Sequence, residues 1–409
     1  MFIHGQLELN ERFRERRRKA RRRKRLRRIA LTVLLLGAAA GLGVGATFIG
    51  QKGPRATASS NGQKGPRATA SAPAPRYRAA KPVPLQRTPL PAEMRGVHMT
   101  MGLASLRGKL DEYLALTAYG LNTLELDVKD ESGQVGFVSS KLPKLARVDG
   151  AARPYYDPQL VVANAHARGV YLIGRVVVFE DPTLSRARPD MALVYRDGSR
   201  WLNNAGLGWA NEYDKRVWAY NVGIAEAAAR AGFDEIQFDY VRFPSDGNVS
   251  QIVYRNRVAE AKGATIARFV AYAARRLHPL GVRVSVDLFG LAATHDLRIG
   301  QVPRRLGKLV DAIYPMVYPS HYHPGEYLIL DPNAQPGRVV AHSLLDYRRA
   351  LRDSKVRIVP WLQDFSLGKA YTGVDVANQI TAARLQHANG FMLWNPEGVY
   401  HNDALSSAG

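Results

Sequence analysis

The chain has 409 residues and no cysteine, which excludes thiol catalysis, thiolate metal sites and disulfide bonds. Its formal net charge of +23 would suit a nucleic-acid-binding protein, but residues 1–28 hold +10 of it and residues 51–95 hold +8. Only about +5 remains for residues 96–409. The part of the chain that is expected to fold is therefore not strongly basic, and nucleic acid is not expected as a partner.

The first two segments predict a membrane anchor. Residues 1–28 contain 13 Lys or Arg, and residues 29–51 contain no charged residue. As a helix, the second segment would be about 34 Å long, enough to cross a hydrocarbon core of about 30 Å. The positive-inside rule then predicts a single-pass plasma membrane protein with a cytoplasmic N-terminus and an extracytoplasmic remainder. A cleaved signal peptide is the alternative, although its apolar core usually has about 7–15 residues.

Residues 52–92 have the composition of a disordered linker. The sequence GQKGPRATAS occurs at 50–59 and again at 62–71, and a Pro- and Ala-rich stretch follows. This composition lacks the apolar periodicity that a hydrophobic core requires. We therefore expect the folded domain at 93–409.

Eight short apolar runs alternate with helical patterns in the remaining sequence. The predicted strands are 96–100, 123–128, 170–179, 235–241, 283–289, 312–318, 357–362 and 390–394. Eight such units in about 310 residues predict an α/β fold of the (β/α)₈ TIM-barrel type. A doubly wound open sheet is the alternative, but no G-x-G-x-x-G loop follows any predicted strand.

Turn and capping residues mark the helices between these strands. Pro158 suits the first position of a helix that ends at Gly169, and Asp214 can cap a long helix that ends at Gly232. Asp375 is expected to open the helix before the last strand. Few residues remain after this strand, so we expect a turn rather than a full eighth helix.

Polar and aromatic residues cluster at the predicted strand ends, where a TIM barrel places its function. One carboxyl group can attack or activate water while a second protonates the leaving oxygen of a glycoside. Aromatic faces can bind the apolar faces of sugar rings. The candidates are Asp127, Asp239, Asp287, Tyr318, His321, Trp361, Gln363, Asp364, Trp394 and Glu397.

These residues also have structural interpretations. Asp127 or Asp239 could pair with Arg175, and the aromatic residues could be ordinary core residues. His321 and His323 have a spacing found in metal sites, but no compact set of His and carboxylate residues accompanies them. Neither a metal nor a cofactor is therefore expected.

Several motifs resemble the bacterial putative glycosyl hydrolase domain family. They are LELDVKDESG at 124–133, GFDEIQFDYVRFP at 232–244, VDLFG at 286–290, YPMVYPSHY at 314–322, PWLQDF at 360–365 and LWNPEGVY at 393–400. The resemblance covers about residues 94–400. It implies a TIM barrel and a glycosidase ancestry, but it does not imply a substrate.

The motif around Asp239 also resembles the fourth strand of chitinase-type barrels, with one departure. Val241 stands where those barrels have their glutamate acid, so substrate-assisted hydrolysis of the chitinase type is not expected. A likeness to amylase-type barrels implies Asp239 as nucleophile or general base. Asp287 on the next strand is then the first choice for the general acid, with Asp364 and Glu397 among the reserves.

We therefore expect a glycoside hydrolase that acts on an extracellular or cell-envelope polysaccharide. The candidates other than Asp239 and Asp287 are expected to bind the substrate. The main alternative is a non-catalytic glycan-binding barrel anchored at the cell surface. A basic adaptor for nucleic acid or anionic lipid is a further alternative, but the positive charge lies directly before an apolar segment of membrane-spanning length.

Proteolysis can test the predicted topology. If residues 1–28 are cytoplasmic and residues 52–409 are outside, protease added to cells with a permeabilised outer envelope should remove the barrel. A cytoplasmic marker protein should survive the same treatment. Full protection of the barrel would contradict the predicted orientation.

Overall fold

The computed structural model describes residues 87–255 and 259–406. The predicted basic tail 1–28, the predicted anchor 29–51 and the predicted linker up to residue 86 lie outside these residues. Within the two described ranges, no helix is both long enough and apolar enough to cross a membrane.

The strands form a closed parallel barrel of eight positions, which confirms the predicted fold class of the domain. They are β1 (Met94–Met99), β2 (Thr123–Lys129), β3 (Tyr171–Val177), β4 (Glu235–Asp239), β5 (Arg283–Phe289), β6 (Ala312–Val317), β7 (Arg357–Ile358 and Trp361–Gln363) and β8 (Gly390–Trp394). Each strand pairs with the next, and β8 pairs with β1. This closure excludes the alternative of an open sheet.

A proline divides β7 into two short segments. Pro360 has no N–H group, so it cannot donate to the neighbouring strand. The N–H of Val359 still donates to the oxygen of Ile313 on β6 (3.0 Å), and the oxygen of Pro360 accepts from Met392 on β8 (2.9 Å). The barrel wall therefore remains continuous across the interruption.

Helices follow most of the strands in the described part of the chain. They are α1 (Met101–Ala104), α2 (Lys109–Leu114), α3 (Lys144–Val148), α4 (Pro158–Ala167), α5 (Pro182–Ala187), α6 (Lys215–Ala231), α7 (Lys262–Leu277), α8 (Pro303–Leu306), α9 (Pro336–Ala350), α10 (Gly373–Leu385) and α11 (Asn402–Ser406). In the residues up to 406, only the short α11 follows β8, where a turn rather than a full eighth helix was expected.

Most of the predicted helix ends are correct. Asp214 caps α6 through the N–H of Arg216 (2.8 Å), and Gly232 ends this helix with a φ of +116° that favours glycine. The start of α10 differs from the prediction. Thr372 is its N-cap, and Asp375 lies three positions later as the acidic partner in a capping box.

The lower part of the barrel interior is filled by buried side chains. The carboxyl group of Glu235 accepts hydrogen bonds from the hydroxyls of Tyr171 (3.0 Å), Ser285 (2.5 Å) and Tyr314 (2.8 Å). Burial raises the pKa of Glu235, and three donors compensate for its lost hydration. This buried layer at the N-terminal ends of the strands forms the barrel floor.

The described chain begins with residues that contact the barrel. The guanidinium of Arg87 donates to the main-chain oxygens of Ala229 and Leu280, both at 3.0 Å. The N–H of Thr88 donates to the carboxylate of Asp234 at 2.9 Å. Residues 87–92 fall within the predicted linker, but these contacts make them part of the folded unit.

A comparison of two N-terminal truncations tests this boundary. A fragment that starts at residue 87 keeps the contacts of Arg87 and Thr88, whereas a fragment that starts at residue 93 loses them. Because an intramolecular hydrogen bond contributes about 1 kcal/mol, we expect the shorter fragment to melt several degrees lower by calorimetry. Equal melting temperatures would show that these contacts add no stability.

Candidate active site

The end of β4 directs Asp239 into the barrel. Phe238 points outward, with its ring 5.5 Å from the ring of Phe269 on α7. Tyr240 has a φ of +50°, and its ring lies 6.2 Å from that of Trp209. A left-handed backbone costs a non-glycine residue about 1–2 kcal/mol. Such strained residues occur often at functional sites.

A buried arginine joins two of the predicted carboxylates. The Nε and Nη2 atoms of Arg175 on β3 donate to Oδ2 of Asp239, at 3.1 and 2.6 Å. Its Nη1 donates to Oδ1 of Asp127 on β2, at 2.7 Å. The guanidinium is planar and always charged, so it fixes the position of both carboxylates. The predicted pairing with Arg175 is therefore present for Asp127 and Asp239 alike.

Asp287 lies beside Asp239 on the next strand. Strands β4 and β5 pair in register as far as Phe238 and Val286, so the two aspartates occupy the next position of each strand. Neighbouring strands are about 4.8 Å apart, and both side chains therefore face the same part of the cleft. Oδ1 of Asp287 accepts hydrogen bonds from Gln237 Nε2 (2.9 Å) and Trp361 Nε1 (2.8 Å).

The surroundings of Asp287 favour its protonated form. Burial raises its pKa well above the ordinary range, and the negative charges of Asp239 and Glu125 raise it further. Arg175 and the hydrogen bond from Trp361 oppose this rise with smaller effects. Asp287 is therefore a buried carboxylic acid that keeps its proton at a pH where an exposed aspartate is ionised.

His98 links two further carboxyl groups at the end of β1. Its Nδ1 atom makes a short contact with the carboxyl group of Glu125, and its Nε2 atom lies 3.7 Å from Oδ2 of Asp127. Burial raises the pKa of Glu125 and of Asp127, and for Asp127 the charges of His98 and Arg175 counteract the effect of burial. The cleft thus contains more carboxyl groups than cations.

Aromatic side chains form the other wall of the cleft. The indole of Trp394 lies 4.5 Å from the ring of His98 and 6.0 Å from that of Trp361. The guanidinium carbon of Arg175 lies 5.8 Å from the Trp394 ring. Trp394 is half-buried, whereas Trp361 and His98 are buried. A ligand in the cleft can therefore reach Trp394.

Tyr318 and His321 lie at the end of β6. Their rings are 5.3 Å apart, and Phe365 packs against both. Burial lowers the pKa of His321 to about 4, so this imidazole is neutral at physiological pH. Burial and, as the next largest cause, the charge of Asp287 raise the pKa of Tyr318.

The remaining three candidates have other surroundings. The side chain of Gln363 accepts from the N–H of Ser320 and donates to the oxygen of Phe365, both at 3.0 Å. Asp364 is buried and accepts from the N–H of His401 at 3.0 Å. Glu397 is exposed in the turn after β8. None of them joins the hydrogen-bonded cluster around Arg175.

Four residues of this cluster were not among the predicted site residues, and Arg175, one of the four, was expected only as an ion-pair partner. Glu125 lies two positions before Asp127 on β2, so the alternation of a strand would have placed it on the same face. His98 and Gln237 occupy inward positions of β1 and β4 and looked like parts of apolar strands. Among the described residues, no group of three or more His, Asp or Glu side chains is placed to hold a metal ion.

The sequence profile of the putative glycosyl hydrolase domain family matches residues 96–400. The chain belongs to this family. The match covers all eight strands except the first two residues of β1. No curated protein matches the chain.

One solved structure agrees with the family's barrel fold. The PgaB (BpsB) glycoside hydrolase domain from Bordetella bronchiseptica is 14% identical, with a TM-score of 0.57, and the match covers 77% of this chain and 98% of that domain. A hypothetical protein from Ruminiclostridium thermocellum ATCC 27405 is 33% identical over 47% of this chain and 96% of its own, with a TM-score of 0.43. At 14% identity, the first likeness shows only the fold.

The raised pKa of Asp287 predicts a pH-dependent effect of its replacement. The folded state favours the protonated acid, so the stability that Asp287 contributes is present at low pH and is lost as the pH rises through its folded-state pKa. Asp287→Asn cannot ionise. We therefore compare the melting temperature of the variant minus that of the wild type at two pH values. This difference should be several degrees larger at pH 8 than at pH 4. A difference that does not change with pH would contradict the raised pKa.

Proposed function

We propose that the barrel is a glycoside hydrolase in which Asp287 is the general acid and Asp239 is the nucleophile or general base. The arrangement of protons around Asp287 is the main support for this proposal. Both described hydrogen bonds of its carboxyl group end on Oδ1, where two N–H donors occupy the lone pairs. The acidic proton of Asp287 therefore belongs on Oδ2, from which it can pass to a glycosidic oxygen.

The surroundings of Asp239 suit the complementary role. Two N–H groups of Arg175 occupy Oδ2, and the N–H of Tyr240 donates to Oδ1 at 2.6 Å. One lone pair on Oδ1 remains after these bonds. This oxygen can attack the anomeric carbon, or it can deprotonate the water that attacks, while the leaving alcohol takes the proton of Asp287.

We propose an extracellular or cell-envelope polysaccharide as the substrate. The aromatic wall with Trp394 at its accessible edge supports a sugar ring as the ligand. The proposed location depends on the sequence alone, where the uncharged segment 29–51 follows a basic tail. In this proposal the barrel is held outside the plasma membrane, near envelope glycans.

The ion pair of Asp239 also favours a second candidate function, a non-catalytic glycan-binding barrel. A carboxylate that only neutralises Arg175 would stabilise the cleft without taking part in chemistry. The two functions differ in one measurable respect. A glycan-binding barrel would bind glycans but would not release reducing ends from them.

Two asparagine variants test the proposed catalysis. The full chain is first incubated with purified envelope polysaccharides, and reducing-end release and binding are both measured. On a cleaved glycan, Asp287→Asn should lower kcat by about 10²–10⁴-fold, as expected for loss of an acid. Asp239→Asn should lower it at least as much and still bind the glycan.

Glu235→Gln is the matched control, because Glu235 is a buried carboxyl on the same strand as Asp239 but belongs to the barrel floor. We expect it to change the melting temperature and to leave kcat within about twofold. Near wild-type cleavage by Asp239→Asn would refute the assignment of Asp239. Binding without cleavage by the wild type would favour the binding barrel.

A further inference from the structure

His98 occupies a position between the carboxylate wall and the aromatic wall of the cleft. It lies on β1 directly opposite Glu125 on β2, and its side chain is almost completely buried. The hydroxyl of Tyr400 donates to the main-chain oxygen of His98 at 2.6 Å. The C-terminal segment therefore holds the backbone of this residue in place.

The two nitrogen atoms of His98 face β2. Nδ1 is hydrogen-bonded to Glu125, and Nε2 lies 3.7 Å from Oδ2 of Asp127, whose other oxygen accepts from Arg175. Glu125 and Asp127 are the titratable groups that face the imidazole, and Arg175 lies on the far side of Asp127. The hydroxyl of Tyr400 contacts the backbone of His98. A chain of alternating acidic and basic groups runs from Glu125 through His98, Asp127 and Arg175.

This chain ends at the proposed catalytic carboxylate. Arg175 donates from two nitrogen atoms to Asp239. The path from His98 to Asp239 therefore consists of the contact between His98 and Asp127 and two ion pairs of Arg175, one with Asp127 and one with Asp239. A displacement of a reacting group by about 1 Å can cost on the order of 100-fold in rate.

The ring of His98 also supports the sugar-facing side of the cleft. Its centroid lies 4.5 Å from that of Trp394 at an interplanar angle of 42°, and 6.4 Å from that of Trp361. Trp394 is the half-buried member of this wall. The orientation of the surface on which a sugar ring would stack therefore depends on His98.

We infer that His98 is a positioning residue with two separable roles, one through its nitrogen atoms and one through its ring. The nitrogen atoms hold Asp127 and, through Arg175, Asp239 in the geometry for catalysis. The ring holds Trp394 in the geometry for sugar binding. This inference builds on the proposed glycosidase function, and it assigns both roles to a residue that does not itself react.

Two substitutions separate these roles in the full chain. His98→Gln keeps a donor at the place of Nε2, facing Asp127, but removes the ring. KM should therefore rise by up to about tenfold, as for the loss of one aromatic pair, with a smaller change in kcat. His98→Phe keeps a ring beside Trp394 but removes both nitrogen atoms. For this variant kcat should fall by about 10–100-fold, with KM close to that of the wild type.

The position of Trp394 can be measured without any substrate. The chain has five Trp residues, so the full chain labelled with 5-fluorotryptophan gives one ¹⁹F resonance for each, and Trp394→Phe assigns the signal of interest. His98→Gln should shift the Trp394 resonance strongly, and His98→Phe should shift it less. The ¹⁹F chemical shifts of the tryptophans outside the barrel interior should not change in either variant.

The outcomes distinguish this inference from the proposed function. If no glycan is cleaved, the proposed function fails, and the ¹⁹F spectra still decide whether His98 positions Trp394. Equal effects of the two substitutions on kcat, KM and the Trp394 signal would overturn the separation into two roles. If His98→Phe does not fold, His98→Gln alone remains decisive, because an unshifted Trp394 signal in that variant refutes the role of the ring.

Discussion

The arrangement of the cleft depends on the buried guanidinium of Arg175. Moving a cation and two carboxylates out of water is costly, and only close, well-directed hydrogen bonds can offset that cost. Arg175 provides them with three N–H groups on one rigid plane, directed at Asp127 and Asp239. Arg175 lies on β3, between β2 and β4. It therefore fixes the positions of the carboxylates at the ends of these two strands.

The excess of buried carboxyl groups around this cation raises the pKa of Glu125, Asp127 and Asp287. Asp127, Asp239, Asp287 and Glu125 share Arg175 and His98 as nearby basic groups, and burial removes the hydration that would stabilise four separate charges. Asp287 makes no ion pair and accepts only from Gln237 and Trp361 among the described residues. Burial and the charges of Asp239 and Glu125 raise the pKa of Asp287 well above its ordinary range, so this carboxyl group favours the protonated form that a general acid requires.

One end of the barrel interior contributes to stability, and the other end contains the candidate active site. At the floor, Glu235 is fully compensated by three hydroxyl groups and surrounded by apolar side chains, which suits a structural core. At the other end, the backbone of Tyr240 is strained and Trp394 remains accessible. This division follows the general rule that barrel enzymes place their chemistry at the C-terminal ends of the strands.

The sequence by itself determined the eight strands and the barrel class, because alternating side chains and helix caps are local properties. It did not identify His98 and Glu125 as site residues, because the sequence does not show which residue a polar side chain in an apolar strand will contact. Only the closure of the barrel brings β1 beside β2 and β8, and so places His98 between Glu125 and Trp394. The tertiary structure also brings Gln363 and Asp364 into hydrogen bonds with main-chain groups of neighbouring loops. A local sequence pattern does not predict such contacts, because the contacting segments are far apart in the chain.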